Sequence, residues 1–309
     1  MAKILIIKLG YSETLDKEIS TTTSLGDVVR TTVLLNFFKD DEVSWLVDDK
    51  ARVLLERNPL IKRVLVYNLE TVLQLQRERF DVVINLEKVP GICALADSIN
   101  AWKRYGFRFD EYNGIAQSYD GAEKVLALSL SLNKKKKNKM FWQQALVEMI
   151  GRQWEGQEYR VSYKPRVKTT YDVGLNWLVG NKWNNKAWPK ENWKKLEELL
   201  RDTYAVSWQA GFDDLYEYMD WISSNRLIVT NDSLGMHLGI ALKKKVVALF
   251  GPTSSQEVYL YGRGEIVCPQ SAYRCVPCLK QECFQPTSCM HFISPDAVAR
   301  AVERILKHG

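Results

Sequence analysis

The feature that most constrains this chain is an alternation of short, almost unbroken apolar runs with segments of helical period, which occurs twice. Residues 3–9, 43–47, 64–67 and 81–86 read as strands, rich in Ile, Leu and Val. Continuous apolar runs mark strands buried on both faces, the habit of parallel sheets covered by helices. Segments 26–38, 49–57, 69–79 and 91–100 suit the helices between them, with Val29, Val33 and Phe37 on one stripe. The pattern weakens after Phe107. Two helical stretches, 120–132 and 139–153, flank the lysines at 134–137 and 139, and a polar segment at 155–168 marks a domain boundary. The alternation then restarts, with strands at 171–179, 204–208, 227–230 and 246–250 and helices at 190–201, 215–222 and 234–242. A last helix is expected behind Ser294 as N-cap and Pro295 at its first position, with Val298, Val302 and Ile305 on one face. The expected fold is α/β: two α/β halves, 1–160 and 161–309, with parallel sheets facing a central cleft.

Composition narrows the class further. With 309 residues, 46% apolar and 26% charged, the chain has the balance of a globular protein. No apolar run approaches the ~18 residues of a membrane span. Met1 leads directly into a strand-like segment with no signal-peptide core. The expectation is a cytoplasmic protein with at most peripheral membrane contact. The net charge of +6 permits anionic ligands without selecting one, and the lysine run reads as a solvated loop.

Three segments sit where a strand gives way to a helix, the ligand-binding end of a parallel sheet. In Ser24-Leu25-Gly26-Asp27-Val28-Val29-Arg30, Asp27 falls in a first helical turn, either as a simple cap or as a general base. In Asn181-Lys182-Trp183-Asn184-Asn185-Lys186-Ala187-Trp188-Pro189, the lysines either grip a phosphate or decorate a polar loop. In Thr230-Asn231-Asp232-Ser233-Leu234-Gly235-Met236-His237, Ser233 opens a helix whose first N–H groups suit a phosphate. Gly251-Pro252-Thr253 turns the chain after the next strand.

Taken together and in this order, the segments resemble glycosyltransferase family 9, the ADP-heptose:lipopolysaccharide heptosyltransferases. The resemblance is strongest at 3–35, 174–193 and 227–298. It implies the GT-B fold, two Rossmann-like domains with an acceptor site in the N-terminal half and a nucleotide-sugar site in the C-terminal half. It makes Asp27 the catalytic base, with Lys8, Ser24, Gly26 and Arg30 on the acceptor side. It makes Lys186 the phosphate-binding lysine and Asp232 the holder of the donor sugar. Ser233, Leu234 and Gly235 would form the pyrophosphate site, with His237, Gly251, Pro252 and Thr253 near the donor. The implied reaction is an inverting transfer from ADP-heptose to a glycan, glycolipid or protein hydroxyl, with no catalytic metal and no nucleic acid. Two departures stand out. The family's short link between the first strand and Gly-Asp is interrupted by residues 9–23, which puts the acceptor in doubt, and Asp-Ser-Leu-Gly replaces the commoner Asp-Thr-Gly.

Five of the six cysteines crowd into 268–290. Cys275, Cys278, Cys283 and Cys289 have spacing suited either to a structural Zn or Fe ion or to reduced thiols in a packed loop. Trp183 and Trp188 read either as core residues, like most of the tryptophans of this half, or as candidates to stack on a base or sugar. Other functional readings are a GT-B enzyme with a different nucleotide-sugar and a non-lipopolysaccharide acceptor, and a non-catalytic nucleic-acid binder using the cysteine finger.

Overall fold

The computed structural model describes residues 1–11, 23–270 and 273–307. The chain divides into two compact units, Met1–Tyr163 and Lys164–Gly309.

The first unit is built on a six-stranded sheet: β1 (Lys3–Ile7), β2 (Glu42–Val47), β3 (Arg63–Val66), β4 (Arg79–Asn85), β5 (Asn100–Asp110) and β6 (Ile115–Ser118), in the order β3-β2-β1-β4-β5-β6. The first five run parallel, with Ile4 facing both Val43 and Val82, and β6 returns antiparallel on β5. Ile4 to Ile7 are fully buried, as a central strand demands. Helices α1 (Leu25–Thr31), α2 (Leu69–Leu75), α3 (Pro90–Ser98), α4 (Glu123–Leu130), α5 (Leu132–Lys137) and α6 (Trp142–Met149) complete the unit.

Three sequence expectations are corrected here. The sheet is mixed, because β6 runs antiparallel on β5. β5, between β4 and the edge strand β6, is half exposed and carries Lys103, Arg104 and Arg108, with Trp102 84% exposed, so it lacks the apolar run that marks a covered strand. The helix expected over 26–38 is α only to Thr31 and continues as a 3₁₀ turn over Thr32–Phe37. The helix expected over 49–57 is a 3₁₀ turn, Asp49–Leu54. The lysine run lies mostly within α5, which buries none of its residues.

The second unit carries a five-stranded parallel sheet of β7 (Tyr171–Asn176), β8 (Val206–Trp208), β9 (Asn225–Asn231), β10 (Lys245–Leu249) and β11 (Gly264–Val267), in the order β11-β10-β9-β7-β8. Helices α7 (Lys190–Leu200), α8 (Leu215–Ser223), α9 (Leu234–Ala241) and α10 (Pro295–Lys307) cover it. Trp193, Leu196 and Leu200 of α7 meet Val298 and Val302 of α10 over β7, β9 and β10 in one core. Ser294 caps α10 by accepting the Ala297 N–H at 3.2 Å. β11, after the Gly-Pro-Thr turn, was missing from the sequence reading. It is a short edge strand whose Gly264 packs against the Val246 carbonyl. Among the described residues, no helix is long and apolar enough to cross a membrane.

The two strand orders fix where ligands fit. In a parallel sheet the crevice opens at the carboxyl ends of strands where successive connections leave in opposite directions. That point lies between β1 and β4 in the first unit and between β7 and β9 in the second. The sequence-derived site residues Lys8, Asp27, Asp232 and Ser233 follow these strands.

Candidate active site

In the first unit, the chain leaves β1 at Lys8, which is 1% exposed. Its ammonium lies 3.3 Å from the buried carboxylate of Glu87, just beyond β4. The same Glu87 oxygen accepts N–H bonds from Gly10 at 2.9 Å and Tyr11 at 3.2 Å. Lys8, expected on the acceptor side, is therefore turned into the protein. Its partner was missed, because a Glu after a strand carries no local mark of what it will pair with.

Residues 12–22, the greater part of the 9–23 insertion, lie outside the described residues. The ends of the insertion meet: the Ser24 N–H donates to the Gly10 carbonyl at 2.5 Å. Gly10 adopts φ +90°, and a Cβ there would stand 3.0 Å from both the Ser24 oxygen and a Val28 methyl, so the closure requires glycine. The extra residues thus leave and rejoin the chain at one point, and Ser24-Leu25-Gly26-Asp27 opens α1 directly behind them.

Asp27 stands in the first turn of α1, with its carboxylate 2.9 Å from the Arg30 guanidinium one turn on. Arg30 also lies over the Trp142 ring at 4.5 Å. Gly26 is buried and Ser24 makes no side-chain cap bond. The base candidate is thus held in one orientation by a cation that is itself held by an aromatic face.

In the second unit, β9 ends in Asn231, and Asp232 and Ser233 lead into α9. The Lys186 ammonium donates to Asp232 Oδ2 at 2.7 Å, and the Thr253 hydroxyl donates to the same oxygen at 2.8 Å. Three residues from three separate loops therefore converge on one carboxylate oxygen. Burial works to raise the Asp232 pKa. The Lys186 charge and hydrogen bond, the nearby His237 and Thr253 override it and bring it from 3.8 down to about 2. A depressed carboxyl pKa stabilises the fold above the unfolded value and loses that contribution as pH falls through the folded one. The stability difference between wild type and Asp232→Asn should therefore shrink by about 2 kcal/mol between pH 4 and pH 2. Urea titrations across that range check this, and a constant difference would contradict it.

Asn231 holds the lysine loop in place. Its carboxamide accepts the Trp188 N–H at 3.1 Å and donates to the Trp177 carbonyl at 3.0 Å. Trp188 is 2% exposed, with its indole N–H on the Ile293 carbonyl and its ring edge-on to Trp193, so it is a core residue and not a stacking platform. Trp183 lies beside the Lys186 ammonium at 5.2 Å. Ser233 occupies the N-cap position of α9 without making a side-chain cap bond. Leu234 is half-buried, and Gly235 and His237 are buried in the first turn of α9.

The cysteine-rich loop braces these same elements. The Leu279 N–H donates to the Pro252 carbonyl at 2.8 Å, and Asn185 donates to the Lys280 carbonyl at 2.6 Å. A Cβ on Gly251 would lie 2.8 Å from the Cys289 sulfur, so this turn admits only glycine beside the thiol. Cys275, Cys278, Cys283 and Cys289 line one small cavity of about 10 Å³ together with Asn185 and Pro252. None of the six cysteines is in a disulfide bond. The Cys289 thiol is pushed up to about 11, first by burial and then by the other three cysteines. Among the described residues, no three His, Cys, Asp or Glu side chains stand close enough together to hold a metal ion as they are.

The chain matches the family described as glycosyltransferase family 9 (heptosyltransferase) over residues 209–288, which include α9, the Gly-Pro-Thr turn and most of the cysteine loop. Over that segment the chain resembles family 9 glycosyltransferases. It is 24% identical over 289 residues to lipopolysaccharide heptosyltransferase 1 of Campylobacter coli, covering 75% of this chain and 83% of that relative. Its fold is similar to the family 9 glycosyl transferase of Veillonella parvula, with a TM-score of 0.71 at 17% identity, covering 100% of this chain and 98% of the other. It is also similar to the ADP-heptose lps heptosyltransferase II of E. coli, with a TM-score of 0.68 at 15% identity, covering 99% and 98%. The fold is accordingly GT-B.

Proposed function

We propose that this heptosyltransferase-like enzyme transfers a heptose from ADP-heptose, with inversion, to a hydroxyl of a cell-envelope glycan. The observation that carries the reading is the convergence of Lys186, Asp232 and Thr253 at the opening of α9, where β7 and β9 end. In this reading the first unit handles the acceptor and the second the nucleotide-sugar. Asp27 takes the proton of the acceptor hydroxyl as its oxygen bonds to the anomeric carbon. The bond from that carbon to the diphosphate oxygen breaks in the same step. Lys186, the Ser233 hydroxyl and the first N–H groups of α9 receive the charge that develops on the departing ADP, so these protein groups stand where a catalytic metal otherwise would. Asp232 aims the ammonium and accepts hydroxyls of the donor sugar, and Arg30 holds Asp27 toward its task.

The test is a transfer assay with ADP-heptose and an envelope glycolipid lacking its heptose. A mass gain of one heptose with ADP released supports the reading. Transfer from a UDP- or GDP-sugar instead would replace the donor, and transfer to a protein or small molecule would replace the acceptor.

We also propose that the four-cysteine loop takes up a structural Zn²⁺ or Fe²⁺ ion. Four thiols around one small cavity are a soft donor set suited to either, and four thiolates leave no open position for chemistry. Because the loop is bonded to Pro252 and Asn185, the ion would stiffen both flanks of the donor site. Protein purified reduced and without chelator should hold about one metal per chain, and stripping it should lower the melting temperature. Less than about 0.1 metal per chain would remove this proposal.

A further inference from the structure

The Ser233 hydroxyl, left idle as a helix cap, is engaged from the side. Asn176, the last residue of β7, is fully buried, and its amide nitrogen lies 2.8 Å from the Thr230 hydroxyl and 3.1 Å from the Ser233 hydroxyl. The Tyr218 hydroxyl of α8, also buried, lies 2.6 Å from the Asn176 carbonyl oxygen. The pair presses on the turn itself: a Cβ on Gly235 would fall 2.2 Å from the Asn176 amide nitrogen and 2.4 Å from the Tyr218 oxygen. Neither residue belongs to a motif the sequence reading singled out.

Counting donors and acceptors fixes the direction of each bond. Tyr218 donates to the Asn176 carbonyl. Reversing the amide would leave a buried phenol proton unpaired, a costly arrangement. The two amide protons then go to Thr230 and Ser233. Thr230 sends its own proton to the Asn231 carbonyl at 2.8 Å, and its oxygen is 3.4 Å from Ser233, at the limit of a hydrogen bond. Ser233 therefore accepts from Asn176 and keeps its proton to give.

We propose that Tyr218 and Asn176 are positioning residues that hold the Ser233 hydroxyl as a hydrogen-bond donor toward the diphosphate of the nucleotide-sugar. The inference rests on the donor reading above and adds residues that touch no substrate. The arrangement orients the hydroxyl: Asn176 donates to its oxygen, and its proton is kept for an anion.

Calorimetric titration with ADP tests this on wild type, Ser233→Ala, Tyr218→Phe, Asn176→Asp and the Tyr218→Phe/Ser233→Ala pair. Ser233→Ala should weaken ADP about tenfold, and Tyr218→Phe by about threefold to tenfold. Asn176→Asp should weaken it at least about tenfold, because a carboxylate would take the Ser233 proton and repel the phosphates. The decisive arm is the double variant, which should bind no more weakly than Ser233→Ala alone, since Tyr218 acts through Ser233. If Tyr218→Phe weakens ADP by the same factor with and without Ser233, the pair is merely structural and the proposal falls, while the donor reading stands. If wild type binds ADP and Ser233→Ala loses nothing, Ser233 is not a phosphate contact and the proposal falls with that assignment. If wild type binds neither ADP, UDP nor GDP, the donor reading itself fails and takes the proposal with it. Tyr218→Phe removes one oxygen, so the test survives even if Asn176→Asp does not fold.

Discussion

Asp27→Asn removes the proton acceptor while keeping the shape of the side chain, and transfer should fall by about 10²- to 10⁴-fold. The loss should lie in kcat, with the affinity for donor nearly unchanged. Asp27 is also the carboxylate partner of Arg30, at 2.9 Å, with both side chains mostly buried. Asp27→Ala should therefore cost stability as well, whereas the isosteric change keeps a hydrogen-bond acceptor for the guanidinium. Steady-state kinetics with a parallel melting curve separates the two effects. A folded Asp27→Asn enzyme with near-wild-type kcat would show that the base lies elsewhere.

The second large effect is expected at Lys186. Its ammonium makes the closest cation contact to Asp232, and the two side chains are only 18% and 14% exposed. Lys186→Met should weaken donor binding by about tenfold to a hundredfold, the range for losing a charge-assisted bond. The change also leaves Asp232 with Thr253 as its remaining hydrogen-bond partner and no lysine charge. Breaking one side of a shielded pair is costlier than the pair is worth, so a fall of about 2–4 °C in melting temperature per kcal/mol lost is expected. Lys186→Arg should recover part of both losses, because it restores the charge though not the compact ammonium. If Lys186→Met bound donor as well as wild type, the lysine would be a structural partner of Asp232 alone.

The residues on which these results turn were legible to different degrees. The cores of β1, β4 and β10 announced themselves, because a strand covered on both faces must be apolar throughout. β5 did not, because a strand with a solvated face can carry Arg, Lys and Trp. Asp232 and Lys186 were each visible as members of a strand-to-helix segment. Their meeting depends on β7 and β9 being neighbours, a property of strand order and not of local pattern. Glu87, Asn176 and Tyr218 were invisible for a related reason. A single polar residue at a strand end or on a helix becomes functional only through partners dozens of positions away. Trp188 was ambiguous in a polar loop, and the fold settles it as core, seating that loop on Trp193. The insertion at 9–23 bears on which acceptor is bound, and the contact between Gly10 and Ser24 leaves Gly26 and Asp27 at the start of α1.

The central claim is that the second unit binds an ADP-linked sugar, and a thermal-shift titration tests it most directly. Ligand that binds only the folded state raises the melting temperature by mass action. The account predicts a rise with ADP-heptose and ADP, and none at the same concentrations of UDP, GDP or their common sugar conjugates. A rise confined to UDP or GDP compounds, or no rise with any of them, would contradict it.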